Sequence, residues 1–330
     1  MSQAYQWLPL TQAKSTIRLL NILPRRSDID YVLRLSLFAA DLGEVGCNYD
    51  AVSYSWGSAE DTRLVLIDGR HTWVRKNLWA FLIHCRDTPL RHHPNLWADA
   101  LCIDQDNDDE KSIQVQLMRR IYSSAYQVIA WLGDWSLQTA LPGYIAAYGA
   151  EWSMGLDECK AIGRSPWDYI DVPHGTNRLA AIEDDSIREI IEADMRKLCR
   201  SVYWSRLWPV QELVLAQKPV FVAGTHLISV YVLLKNLPDI FPTPKSGHHT
   251  DFLDVDHAVL RSLKTCWEWG TSEQRSMIAV VSELADHECC DLRDHVYGLL
   301  GVVENGHNFD VDYGKDVEEV YLNALDFSRV

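Results

Sequence analysis

Glu212 sits in the stretch SRLWPVQELVLA (205–216), just after Trp208 and just before the apolar run Leu213, Val214, Leu215. A carboxylate in that setting either rides the solvent side of an amphipathic helix or faces a pocket and does acid–base or charge-stabilising chemistry there. Asp99 raises the same question inside LWADALCI (96–103), because a carboxylate in an apolar strand is costly unless paired. It is bonded to backbone amides or an arginine, or it reaches a pocket. Asp104 and Gln105 directly follow that stretch, and Ser55, Trp56 and Gly57 end YDAVSYSWG (49–57), with Ser58 next. Ligands of open α/β sheets bind outside the carboxyl ends of the strands, so these residues are expected at one rim. Trp56 and Trp208 either pack in the core or stack on a flat ligand. Arg63 and Arg206 could hold a phosphate, or could make surface salt bridges instead.

The elements that must position these groups can be read from pattern. TIRLLNIL (16–23), YVLRLSLFAADL (31–42) and YDAVSYSWG read as strands. TRLVLIDGRHTWV (62–74) reads as a hairpin, because Asp68-Gly69 is a favoured two-residue turn. RKNLWAFLIHCRD (75–87) has helical spacing, and LWADALCI reads as a buried strand. In DDEKSIQVQLMRRIYSSA (108–125), acidic residues open a helix whose apolar face runs through Ile113, Val115, Leu117, Met118, Ile121 and Tyr122. Asp106, Asp108, Asp109 and Glu110 are expected to cap it and face water. YQVIAWLG (126–133) follows as a strand. Strands alternating with helices indicate a parallel sheet with helices packed on it. If a helix begins near Pro209, Glu212 falls in its first turns, where the helix dipole alone would favour a carboxylate.

Downstream the pattern loosens into a Trp-, Gly- and Pro-rich insertion at about 135–200, ending in an amphipathic helix (185–199). PVFVAG (219–224) is a strand. FPTPKSGHHTD (241–251), with His248 and His249, is a loop. Helices are expected at 257–269, 272–286, 293–303 and 316–330. The organisation expected is N-terminal strands (1–48) packing on a core (49–225), then a helical C-terminal extension (226–330).

Composition limits the chemistry. The 330 residues carry 13 Trp and 47% hydrophobic residues, ample for a packed core. A formal net charge of −15 argues against nucleic acid and against anionic membranes. No apolar run approaches a membrane span, and the N-terminus lacks the features of a secretory signal, so the expected location is cytoplasmic. The eight cysteines form no C-x-x-C pair and no zinc spacing, and they read as reduced. DQDNDDEK (104–111) lacks the central Gly and distal Glu of a calcium loop. No metal and no resident cofactor are expected.

Several ordered blocks carry a resemblance. YDAVSYSWG, LWADALCIDQ, SRLWPVQE, DLRDHVYGLLG (291–301) and DYGKDVEEVY (312–321) resemble the fungal heterokaryon-incompatibility (HET) domain. Its blocks read Y-x-A-L-S-Y-x-W-G, W-I-D-A-I-C-I-N-Q and R-x-W-x-x-Q-E. Ala98 stands where the family has Ile, and Asp104 where it has Asn. The resemblance implies a self/non-self recognition effector of the kind associated with fungal cell death. A second, shorter resemblance is to TIR domains. YDAVSYSWGSAEDTR (49–63) is similar to their first strand and loop, and WPVQEL (208–213) to their W-C-x-x-E-L stretch, with Pro209 in place of the Cys. That likeness implies a flavodoxin-like parallel core, activity on self-association, and hydrolysis of NAD, as substrate, at the nicotinamide bond. It places the catalytic role on Glu212, with Trp208 and Gln211 beside it. A carboxylate near the ribose would stabilise the oxocarbenium-like charge, and the neutral nicotinamide leaves without protonation. The alternatives are a non-enzymatic signalling scaffold, and a metabolic enzyme that uses Asp99, Asp104 and Glu212 as acid–base groups.

Overall fold

The computed structural model describes residues 5–10, 15–27, 31–45, 48–88, 93–133, 184–223, 226–230 and 275–329. Its strands are β1 (Thr16–Ile22), β2 (Arg34–Asp41), β3 (Asp50–Tyr54), β4 (Thr62–Ile67), β5 (Arg70–Arg75), β6 (Asn95–Trp97), β7 (Gln127–Trp131), β8 (Pro219–Ala223) and β9 (His226–Ser229). All nine join one sheet in the order β5-β4-β2-β1-β6-β3-β7-β8-β9.

The centre of the sheet is parallel. β3 pairs in parallel with β6 and β7, and β7 with β8. In chain order these four strands run 2-1-3-4, the arrangement of flavodoxin-like sheets, whose binding crevice opens where the winding reverses, here between β3 and β7. Every residue of β3 and β7 is buried, which explains their mainly apolar text, and the polar Asp50, Ser53 and Gln127 are buried with them. The flanks do not follow the parallel expectation. β1 pairs antiparallel with β2 and β6, β4 with β5, and β8 with β9, so the sheet is mixed. At β4–β5 the cause is local: Asp68 and Gly69 both take positive φ, the two-residue turn that closes an antiparallel hairpin. The N-terminal strands belong to the same sheet, with β1 and β2 between β4 and β6.

Helices cover the sheet. α1 (Leu42–Val45) is a single turn after β2, and α2 (Lys76–Asp87) buries Leu78, Phe81, Leu82 and Cys85. LWADALCI differs from its expected form. The strand stops at Trp97, and a short helix, α3 (Asp99–Cys102), takes over. Asp99 therefore heads a helical turn just beyond the strand, and Asp104 and Gln105 lie past that turn. α4 (Asp108–Ser124) is capped by Asn107, whose side chain accepts from the Glu110 amide at 3.1 Å. Ile113 is exposed, so the buried face runs through Val115, Leu117, Met118, Ile121 and Tyr122. Glu110 does not face water. It forks onto the fully buried Arg18, which also donates to the Cys102 and Leu8 carbonyls and lies 5.1 Å from the Trp7 ring. A buried guanidinium demands such partners, and here they tie β1, α3, α4 and the N-terminal segment together.

α5 (Asp185–Cys199) leads to α6 (Trp208–Leu215), which opens with Pro209 in its first turn. α7 (Met277–Glu283), α8 (Asp294–Tyr297) and α9 (Val317–Phe327) form the C-terminal part. The helix expected over 293–303 stops at Tyr297. Residues 134–183, most of the expected insertion, and residues 231–274, with the expected loop and the helix at 257–269, lie outside the described residues. Among the described residues no helix is long and apolar enough to cross a membrane.

Candidate functional site

Glu212 sits in the fifth position of α6, past the first turn, so the helix dipole does not account for it. It is 5% exposed. α6 packs across β3 and β7, which turns this side chain toward the switch point of the sheet. Ser53, fully buried near the end of β3, donates its hydroxyl to the Glu212 carboxyl. The Tyr203 hydroxyl lies 2.7 Å from Ser53 Oγ. The Tyr122 hydroxyl, from α4, donates to the Val52 carbonyl at 3.3 Å and lies close enough to Glu212 to favour its charged form. Burial pushes the Glu212 pKa up to about 8; the Ser53 hydroxyl opposes the shift and the Asp99 charge reinforces it. At neutral pH this carboxyl holds its proton.

Asp99 is the second carboxyl of the cluster. The Trp56 indole N–H donates to its Oδ2 at 2.8 Å, and the Ala100 amide donates to its Oδ1 at 2.8 Å. Burial raises its pKa, with Tyr54, Trp56 and the Ala100 amide opposing. The Tyr54 hydroxyl is buried beside Asp99 without a well-aligned hydrogen bond. Burial, ahead of the neighbouring carboxyls, pushes the Tyr54, Tyr122 and Tyr203 hydroxyls far above their usual range, so all three remain protonated donors. The result is two electrostatically coupled carboxyls ringed by hydroxyls at the carboxyl ends of parallel strands. Perturbed acids in such a place mark a candidate site for proton transfer or for stabilising positive charge. Trp56 and Asp99, both partly exposed, form its outer side.

The remaining residues singled out from the sequence divide. Ser55 is buried, and its carbonyl and hydroxyl both accept from the Asn77 amide, which in turn accepts from Trp131. Gly57 takes φ 74° and its carbonyl accepts from Arg75. The Arg75 guanidinium lies 4.8 Å from the Trp56 ring, so one face of that indole is already covered. Gln105 donates to the Asp99 carbonyl at 3.1 Å and so braces the cluster. Asp104 is turned elsewhere: its carboxylate accepts from the Asp106 amide, and its own amide donates to Glu110. Burial and the neighbouring Glu110 and Asp106 raise its pKa.

Trp208 and Gln211 face the C-terminal part instead of Glu212. The Trp208 indole donates to Asp294 at 3.0 Å, and Tyr313 donates to the same carboxyl at 2.6 Å. Gln211, 1% exposed, accepts from the Gly301 amide. Both residues tie α6 to its support. A small, open pocket lies on that side, lined by Val115, Gln116, Arg119, Gln211, Gly301 and His307 among others. Ser53, Tyr54, Tyr122 and Tyr203 were missed from the sequence. Ser53 left one signal, a hydroxyl inside a wholly buried strand, which needs a partner.

Residues 49–212 match the family model described as "Heterokaryon incompatibility protein (HET)". The matched span begins at the foot of β3 and ends on Glu212, enclosing every member of the cluster. Over 253 residues the chain is 27% identical to "Heterokaryon incompatibility protein 6, OR allele" of Neurospora crassa, covering 68% of this chain and 36% of that relative. The matched stretch thus spans about a third of the relative's length. No solved structure matches the chain.

Proposed function

With residues 49–212 forming a HET domain, we propose that this chain is a self/non-self recognition effector whose reactive centre is the Glu212–Asp99 cluster. The reaction we assign to it is hydrolysis of NAD to nicotinamide and ADP-ribose. The recognition role is supported by the name of the Neurospora crassa relative. The reaction is supported by one observation above all: Glu212 is buried at the sheet's switch point with hydroxyl donors around it and no cation bonded to it among the described residues. A carboxyl held that way is expensive and responds strongly to a positive charge placed beside it.

In this reading the nicotinamide ribose enters past Trp56 and Asp99. Its pyridinium charge favours the ionised form of Glu212. The carboxylate then stabilises the oxocarbenium-like ribose as the C–N bond breaks. The bonding electrons stay on the ring nitrogen, and nicotinamide leaves neutral. Water adds to the anomeric carbon, and its proton is released to solvent. The Ser53 hydroxyl fixes the orientation of the carboxylate.

The experiment is nicotinamide release from NAD over a series of protein concentrations, beside Glu212→Ala. Turnover that rises with self-association and vanishes in the variant is the expected result. Turnover unchanged in Glu212→Ala removes the role assigned to Glu212. No release at any concentration favours a non-enzymatic signalling scaffold, a reading that draws on how little of Glu212 reaches the surface.

A further inference from the structure

Arg206 stands two residues before α6 in an unusual condition. Its backbone is clamped on both sides, because the Glu288 amide donates to the Ser205 carbonyl at 2.7 Å and the Leu207 amide donates to the Glu288 carbonyl at 3.0 Å. Its guanidinium Nε is buried with no hydrogen-bond partner, and among the described residues no carboxylate forms an ion pair with it. The carboxylate nearest along this contact, Glu288, is turned onto the Ser205 hydroxyl instead, at 3.2 Å. Asp99 and Glu212 both feel the Arg206 charge without bonding it. A guanidinium stays charged at any accessible pH, and a buried N–H without a partner is costly. The fold therefore holds a fixed cation in waiting beside two carboxyls.

We propose that Arg206 is an anion subsite of the Glu212–Asp99 centre and takes the diphosphate of a nucleotide ligand. The inference rests on reading that centre as a ligand site. Two requirements select the ligand class. Arg206 calls for an anion whose oxygens match its planar fork, as phosphate oxygens do. Asp99 and Glu212, within electrostatic reach of Arg206, offer carboxyl oxygens to hydroxyls and, once ionised, favour positive charge. A nucleoside diphosphate joins both features, with ribose hydroxyls next to its phosphates. The other arginine marked from the sequence is already engaged, since Arg63 pairs with Asp61 at 2.6 Å.

The test is calorimetric titration of ADP into the wild-type chain and into Arg206→Gln, Arg206→Lys and Arg63→Gln. Saturable binding to the wild type is expected, weakened at least about tenfold in Arg206→Gln, as for a lost charge-assisted hydrogen bond. Arg206→Lys keeps the charge without the fork and should fall between the two, and it serves alone if the Gln chain fails to fold. Arg63→Gln should match the wild type. No saturable ADP binding in the wild type, equal affinity in both Arg206 variants, or an equal loss in Arg63→Gln overturns the subsite. Binding is read without turnover. Arg206-dependent ADP binding in a chain that releases no nicotinamide keeps the subsite and removes only the reaction. NAD turnover with an unchanged KM in Arg206→Gln does the reverse.

Discussion

Replacing Glu212 with Gln should stabilise the chain, and the gain should grow with pH. The folded chain keeps the Glu212 proton up to about 8, whereas the unfolded chain releases it near the ordinary 4.5. Across that window the folded state binds one proton more than the unfolded state. Stability from this group is therefore full below about 4.5 and falls as pH rises to about 8, at roughly 1.4 kcal/mol per pH unit. The whole window amounts to something on the order of 5 kcal/mol. Gln has the shape of the protonated carboxyl and can still accept from Ser53, but it cannot ionise. The difference between variant and wild type should be near zero below about pH 4 and approach its full value near pH 8 to 9. Urea unfolding followed by Trp fluorescence measures it, and taking the difference cancels groups that titrate alike in both chains. Asp99→Asn is the companion, because the two carboxyls are coupled. A pH-independent difference, or one that shrinks as pH rises, refutes the buried protonated carboxyl.

Four further outcomes follow from the same contacts. Ser53→Ala removes a donor that favours the charged form, so the Glu212 transition should move to higher pH in the same unfolding series; a move downward contradicts the contact. Glu110→Ala strands the fully buried Arg18 charge and should cost about 3–5 kcal/mol in urea unfolding. Trp208→Phe keeps an aromatic ring, a smaller one, but takes the indole N–H from buried Asp294, for about 1–3 kcal/mol by the same assay. Gly306→Ala would put a methyl group 2.1 Å from the Leu300 carbonyl oxygen and should cost about 1–3 kcal/mol or more, measured as a fall in Tm.

What the sequence made legible was local or periodic. Asp68-Gly69 announced its hairpin because the backbone there needs positive φ at both positions. β3 and β7 were visible as short, mainly apolar runs. The W-x-x-x-E-L spacing at 208–213 singled out Glu212, whose buried position the helix dipole would not have suggested. LWADALCI misled because a four-residue helix has no period to read, and its apolar text suits a buried strand equally well. Trp208 and Gln211 were grouped with Glu212 by adjacency, yet their partners Asp294 and Gly301 lie 86 and 90 residues away in the chain. Glu110 read as a solvated helix-opening acid because its partner, Arg18, is 92 residues distant. Long-range pairing of this kind leaves no mark in local pattern. The three tyrosines around the carboxyls were hidden for the same reason, each arriving from a different part of the chain.

The pH dependence of kcat/KM for nicotinamide release, in the wild type and in Glu212→Gln, tests the reactive centre most directly. An ionised Glu212 is the form that stabilises the reacting ribose. The wild-type rate should therefore climb with pH along a limb centred near the Glu212 pKa of about 8 and level above it, while Glu212→Gln stays near the uncatalysed rate throughout. A wild-type rate that is flat between about pH 6 and 9, or a Gln variant that keeps the wild-type profile, contradicts the assignment.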